Sequence, residues 1–438
     1  MVREGYKETE IGEIPVEWEV GPISDIAFVN PKTNTTLLTD RSEVTFLPME
    51  NVSESGKVMV NEVREFHEVK NGYTSFKEGD VLFAKITPCM QNGKGAHLTG
   101  LKNGVGFGST EFHVLRPKSS GNSCFIYHLT LSKKFRLVSE SYFSGSAGQQ
   151  RVAKNVFYQY HVPLPPLPEQ RRIAAILSTI DEAIEKTEAL IAKLRQVKAG
   201  LMQDLLTKGI DEEGRVRSEE THAFKDSEIG RVPVEWEISN IGQVATFVGS
   251  GITPSGGSRV YKANGIPFLR SQNIHFGGLR LDNVACIDEK IHNSMQRTKL
   301  QPYDVLLNIT GASIGRCTFV PQDFGEGNVN QHVCIIRLND SGKPEFISSI
   351  LSSHIGQFQI ESLQAGLSRE GLNYRQVRSI KIPLPLLPEQ HRIAVVLTAA
   401  DDRIAREETY RDKLLAVKKG LMADLLTGRV RVPEGVAK

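Results

Sequence analysis

Leu164-Pro165-Pro166-Leu167-Pro168-Glu169-Gln170-Arg171-Arg172-Ile173-Ala174 returns half a chain later as Leu384-Pro385-Leu386-Leu387-Pro388-Glu389-Gln390-His391-Arg392-Ile393-Ala394. Each copy leads into a segment whose apolar residues step by four and three. In the first these are Ile173, Leu177, Ile180, Ile184, Ile191, Leu194, Leu201 and Leu205, interrupted by Thr187 and Lys198. In the second they are Ile393, Leu397, Ile404, Leu414, Leu421 and Leu425, with Glu407 and Arg411 weakening the middle. That spacing is a heptad seam, and it predicts helices over residues 169–207 and 389–427. The prolines stop any strand before the helix and preset its first turn. Both helices end alike, in Gly200-Leu201-Met202-Gln203-Asp204-Leu205-Leu206-Thr207 and Gly420-Leu421-Met422-Ala423-Asp424-Leu425-Leu426-Thr427. A third repeated block opens each half: Glu10-Ile11-Gly12-Glu13-Ile14-Pro15-Val16-Glu17-Trp18-Glu19 and Glu228-Ile229-Gly230-Arg231-Val232-Pro233-Val234-Glu235-Trp236-Glu237. The chain is a tandem duplication.

A helix of this length spans roughly 58 Å at 1.5 Å per residue. An apolar face that long is poorly stable alone. Its simplest partner is its own repeat, so the two helices are expected to pair antiparallel; in the competing arrangement each packs only on its own domain. The regions before the helices have diverged. They alternate β-branched runs with Gly and Asn turns, and Thr45 to Val52 answers Pro267 to Ile274 as Asp80 to Phe83 answers Asp304 to Leu307. The expected fold class is α+β: two globular mixed α/β domains with two long antiparallel paired helices and an internal pseudo-twofold repeat. The expected division is a first domain over 1–160, a helix over 161–208 and a polar, charged linker over 209–225. A second domain over 226–380 and a second helix with its tail over 381–438 complete it. Phe125 to Ser141 reads as one helix, Gly104 to Gly108 as a turn, and Trp18 and Trp236 as core anchors.

With 438 residues the chain exceeds one compact core. No apolar run is long enough to span a membrane, and the first residues lack the apolar stretch of a signal peptide. The five cysteines are scattered, with no Cys-x-x-Cys pair, which points away from a zinc site or a disulfide framework and toward the cytoplasm. The net charge of +2 does not announce a nucleic-acid binder. Basic excess is local: Arg259, Lys262, Arg270, Arg280, Lys290, Arg297, Lys299 and Arg316 outnumber Asp282, Asp288, Glu289 and Asp304 in the same stretch. No Asn/Asp-Pro-Pro-Tyr/Phe motif, no phosphate-binding Gly-x-x-x-x-Gly-Lys-Ser/Thr and no nuclease triad occurs, so methyl transfer, ATP hydrolysis and DNA cleavage are not expected of this chain.

Two divergent domains, each followed by the Pro-Leu-Pro-Glu-Gln type block and a long helix, resemble the DNA-specificity subunit of Type I restriction–modification systems. The duplicated Trp18 and Trp236 blocks and the matched helix ends make the resemblance specific, and it covers essentially the whole chain. It implies that each variable domain is a target-recognition domain reading half of a split duplex-DNA site. The paired helices would act as a ruler for the unread spacer. It also implies a non-catalytic chain that carries two modification (methyltransferase) subunits and, optionally, two restriction–translocation subunits. S-adenosylmethionine would then bind to the modification partner, and ATP with magnesium to the restriction partner. A two-headed adaptor that bridges two proteins without touching DNA is the rival reading.

Base readout needs paired donors and acceptors: Arg or Lys for guanine, Asn or Gln for adenine. In the second domain the candidates are Arg270, Ser271, Gln272 and Asn273 after one strand, then Asn308, Thr310 and Arg316 after the next, then Gln331. In the first domain Lys85, Thr87, Gln91, Asn92 and Lys94 hold the corresponding places. A Gly-rich loop ahead of each Pro-rich block adds Gln149 and Arg151, and Arg369 and Asn373; glycines there let backbone amides approach a phosphate. The competing expectation for each Asn and Ser is a turn built by its own side chain. Asp80 and Asp304 read as turn organisers, and His113 and His332 as structural.

Overall fold

A computed structural model describes residues 2–59, 62–146, 149–364 and 371–432. The chain divides into two compact units, Met1–Glu188 with Thr409–Lys438, and Ala189–Glu408. The expected helices are present as Leu167–Thr207 and Leu387–Leu425, so each contributes residues to both units.

The first unit is built on a four-stranded antiparallel sheet of Ala27–Val29, Phe112–Pro117, Val81–Ala84 and Gly95–His97. A second, mixed sheet orders Glu62–Glu65, Glu43–Leu47, Val105–Gly108 and Thr74–Lys77. Strand Val81–Ala84 is apolar at every position because both of its faces are covered. Val81 and Phe83 enter the cluster beneath the helices, while Leu82 and Ala84 enter the cluster between the sheets. The second unit repeats the plan. Ala245–Ser250, Val333–Leu338, Val305–Asn308 and Cys317–Phe319 form its antiparallel sheet, and Ala285–Ile287, Ile266–Leu269 and Asn328–Val329 its smaller mixed one. Val305 and Leu307 point to one core and Leu306 to the other.

Three local expectations change. Phe125 to Ser141 is two helices, Ser123–Leu131 and Lys133–Glu140, because Ser132 leaves helical geometry and its hydroxyl caps the second helix at the Phe135 amide. Gly104 to Gly108 is not a turn; Val105–Gly108 is a buried strand. A side chain at Gly106 would run into the Phe76 ring and one at Gly108 into the Leu47 carbonyl, so these glycines serve close packing. The polar linker is pinned at its start, where Ile210 is buried and pairs with Val216.

The repeated blocks meet at one interlock per unit. In the first unit Trp18 is fully buried and its indole N–H donates to Glu169 at 2.9 Å. Arg431 donates twice to the same carboxylate, at 2.8 and 2.9 Å, and the Val432 amide donates at 3.3 Å. Burial would raise the Glu169 pKa, but the bonds from Arg431, Trp18 and Val432 outweigh it and hold the carboxyl below the usual range. In the second unit Trp236 donates to Glu389 at 3.2 Å, the Ile210 amide at 2.9 Å, and Arg217 forms the ion pair. The neighbouring glutamines anchor each helix start: Gln170 bonds Asn122, Ser120 and Pro165, and Gln390 bonds Lys343, Ser341 and Pro385.

Within each unit the two helices run antiparallel. In the first, Asp181 pairs with Lys418 at 2.6 Å, while Ile173 and Leu177 share a core with Leu425. In the second, Lys198 pairs with Asp401 and Arg195 with Glu408, while Leu205 shares a core with Ile393 and Leu397. Among the described residues no helix is long and apolar enough to cross a membrane.

Candidate nucleic-acid interface

Both units bring the same two loops together. In the first, the loop after strand Val81–Ala84 meets the Gly-rich hairpin: Ile86 bridges to Arg151, the Val152 amide donates to the Lys85 carbonyl at 2.8 Å, and the Thr87 amide to the Gln150 carbonyl at 3.0 Å. In the second, Thr310 bridges to Gly371 and the Leu372 amide donates to the Ile309 carbonyl at 2.8 Å. Lys85, Thr87, Gln149 and Arg151 thus form one cluster, and Asn308, Thr310 and the start of the Asn373 helix another.

The scaffold under the loops is shared. Asp80 is fully buried, accepts from the Lys77 amide at 2.9 Å and pairs with Arg116 at 2.8 Å. Asp304 accepts from the Gln301 amide at 2.8 Å and pairs with Arg337 at 2.8 Å. The turn expected of both aspartates is present, and an ion pair is added to it. Counting back five residues from Arg116 and Arg337 reaches Glu111 and His332, so these two occupy matching places. There the units part. Glu111 holds Arg151 through three bonds of 2.8 to 3.0 Å. The bonds from Arg151 push its carboxyl pKa down. His332 instead meets the Thr310 hydroxyl at 2.5 Å and the Gln331 side-chain amide at 3.5 Å, and the residue that bridges to Thr310, as Arg151 bridges to Ile86, is Gly371.

Several candidate side chains hydrogen-bond to other parts of the protein. Asn92 donates to Glu54 at 2.7 Å, Gln91 to Glu140 at 3.3 Å and Lys94 to the Met49 carbonyl at 3.0 Å. Asn373 caps helix Tyr374–Ser379 through the Gln376 amide at 2.9 Å. Asn273 and Asn308 are buried, while Gln149, Gln272 and Gln331 are exposed. Ser271 presents its carbonyl to Asn308 at 2.9 Å. Arg270 lies over the Tyr261 ring at 5.4 Å, and its Nε is buried without a hydrogen-bond partner among the described residues. Arg316 closes the loop after strand Val305–Asn308, its carbonyl accepting from the Asn308 amide at 2.9 Å. Arg369 lies outside the described residues. His113 is structural as expected: burial lowers its pKa, Asn30 lies at 3.0 Å from Nδ1 and the Val152 carbonyl at 2.9 Å from Nε2. Among the described residues no group of three or more His, Cys, Asp or Glu is placed to hold a metal ion.

A family profile described as the Type I restriction modification DNA specificity domain matches residues 15–196 and again 233–416. The chain belongs to that family of specificity subunits. A putative Type I restriction enzyme MjaX specificity subunit of Methanocaldococcus jannaschii is 28% identical over 98% of this chain and 97% of its own. The Type I restriction enzyme EcoEI specificity subunit of Escherichia coli is 42% identical, over 38% of this chain and 28% of its own. The crystal structure of a Type I restriction–modification S subunit from M. genitalium superposes with a TM-score of 0.58 at 15% identity, covering 93% of this chain and 96% of that one. A chain from a structural study of complex assembly and conformational transition of the Type I system gives 0.53 at 20% identity, covering 95% of this chain and 99% of that one. These likenesses establish the fold of this specificity subunit.

Sequence reasoning passed over Arg217 and Arg431, although a signal existed. Gly214-Arg215-Val216-Arg217 and Gly428-Arg429-Val430-Arg431 repeat one another just beyond the two helices. It also counted Arg280 only as a charge.

Proposed function

We propose that this specificity subunit reads a bipartite, asymmetric duplex target, one half-site per recognition domain, and performs no chemistry itself. The observation that carries the reading is the contrast between constant scaffold and variable loops. The Asp–Arg pair, the Trp–Glu–Arg interlock and the sheet order recur in both units. The matching loop positions hold Arg151 with Glu111 in one and Gly371 with His332 in the other. A protein needing two identical contacts would have no use for that divergence, whereas two unlike half-sites require it. In this reading the paired helices set the unread spacer, and two modification subunits assemble on the chain with restriction–translocation subunits as optional additions, in the cytoplasm. S-adenosylmethionine, and ATP with magnesium, belong to those partners.

The test is duplex binding by the full chain with its modification partner across a salt series. A DNA reader loses affinity with a steep linear slope of log affinity against log salt. A two-headed adaptor shows no duplex binding that the partner alone does not show, and that result overturns the reading.

A further inference from the structure

The second unit contains two buried asparagines that the sequence suggested as base readers and that the structure uses otherwise. Asn308 is fully buried; its Nδ2 donates to the Ser271 carbonyl at 2.9 Å and to the Ser313 hydroxyl at 3.1 Å. It thereby ties the turn Ser271–Asn273 to the loop over 309–316. Asn273, 1% exposed, accepts from the Arg270 amide at 3.0 Å and donates to the Arg280 carbonyl at 2.8 Å, while its own carbonyl accepts from the Arg280 amide at 2.9 Å. Arg270, Arg280 and Arg316 therefore each have their main chain bonded to one of two buried asparagines. Neither asparagine can reach a ligand itself.

Asn308 is a costly choice for a strand end. Its Oδ1 has no hydrogen-bond partner among the described residues, and an unsatisfied buried acceptor destabilises a fold. The first unit shows that the fold does not need it, since the matching position after Asp80 is Ala84, buried in apolar surroundings. A residue that costs stability at one copy of a repeated site, where the other copy uses alanine, is retained for what it positions.

What it positions is positive charge. Arg280 is exposed and Arg316 half-buried, and neither makes an ion pair among the described residues, in contrast to Arg151, Arg217, Arg337 and Arg431. Burial lowers the His275 pKa against the pull of the Gln272 carbonyl, and the charges of Arg280 and Arg316 lower it further.

We propose that Arg280 and Arg316 are the guanidinium contacts of the second half-site, and that Asn308 is a positioning residue that aims the Arg316 loop. This rests on the reading of the chain as a DNA-binding specificity subunit. The chemistry they fit is a pair of adjacent hydrogen-bond acceptors, as on a guanine edge or a phosphate.

The full chain is co-expressed with its modification partner, and methylated positions are mapped across the host genome. Arg280→Ala with Arg316→Ala is expected to lower methylation of the cognate sites roughly tenfold or more. A base relaxed at one position of the second half-motif identifies a guanine contact; lower methylation with the motif intact, and a shallower salt slope, identifies a phosphate contact; both support the proposal. Asn308→Ala, which installs the residue of the first unit, is expected to relax the second half-motif while the first half keeps its sequence and the unfolding midpoint stays near that of the parent. A merely structural asparagine would lower methylation without altering the motif, which would contradict the positioning role. An unchanged motif and unchanged salt slope in the double arginine variant, or a change confined to the first half-motif, overturns the proposal. If the parent chain itself yields no split motif, the DNA reading fails and not this inference alone.

Discussion

At the scale of single residues, the strongest constraints are carboxylates that serve several donors at once. Glu169 collects an indole, a guanidinium and a backbone amide that come from sequence positions more than 150 residues away on either side. Removing Arg431 leaves that buried charge under-neutralised. Because the guanidinium is a third exposed, Arg431→Ala is expected to cost about 1–2 kcal/mol in chemical unfolding of the full chain, well below a fully buried pair. The sign with pH follows from the lowered Glu169 pKa. Its contribution is complete above the ordinary value of 4.5 and is lost as pH falls through the depressed folded value. The difference between parent and Arg431→Ala should therefore be full at neutral pH and shrink below about pH 4.5; a difference that grows on acidification would refute the assignment. The block Pro-Glu-Gln was legible as important from its duplication alone. Its physical task was not, because the partners of Glu169 and Glu389 lie in loops whose pairing only the folded chain reveals.

Among the elements, the long helices were the most legible, since a period of seven declares itself without help from tertiary structure. The interruptions at Thr187 and Lys198 looked like defects of the seam. Each is resolved locally. The Thr187 hydroxyl bonds back to the Ala183 carbonyl at 2.8 Å, and Lys198 meets Asp401 on the facing helix. A polar residue at a seam position costs stability and fixes register when it has one matching partner. Lys198→Met and Asp401→Ala are thus expected to show a coupling of about 1 kcal/mol in a double-mutant cycle read by unfolding; independent effects would mean the pair sets nothing. The strands were legible too, as continuous apolar runs. What escaped was the strand Val105–Gly108, whose glycines have the composition of a turn and the packing duty of a sheet interior. The break at Ser132 also escaped, because helical periodicity on both sides of a cap is continuous in sequence.

For the whole molecule, the duplication sets the same scaffold beneath two diverged sets of loops. The parts that recur hold each unit together, and the parts that diverge sit on the loops after strands Val81–Ala84 and Val305–Asn308. Sequence alone located those loops. It did not separate the side chains that face outward from those, like Asn273 and Asn308, that are buried in bracing the loops, because Asn serves both tasks with the same groups. The proposed function requires that each diverged domain read its own half-site. Genome-wide methylation mapping of a chain in which residues 226–380 are replaced by the equivalent domain of a relative tests this most directly. One half of the motif should change, with the other half and the spacer length preserved; a motif altered in both halves, or altered only in spacing, would contradict it.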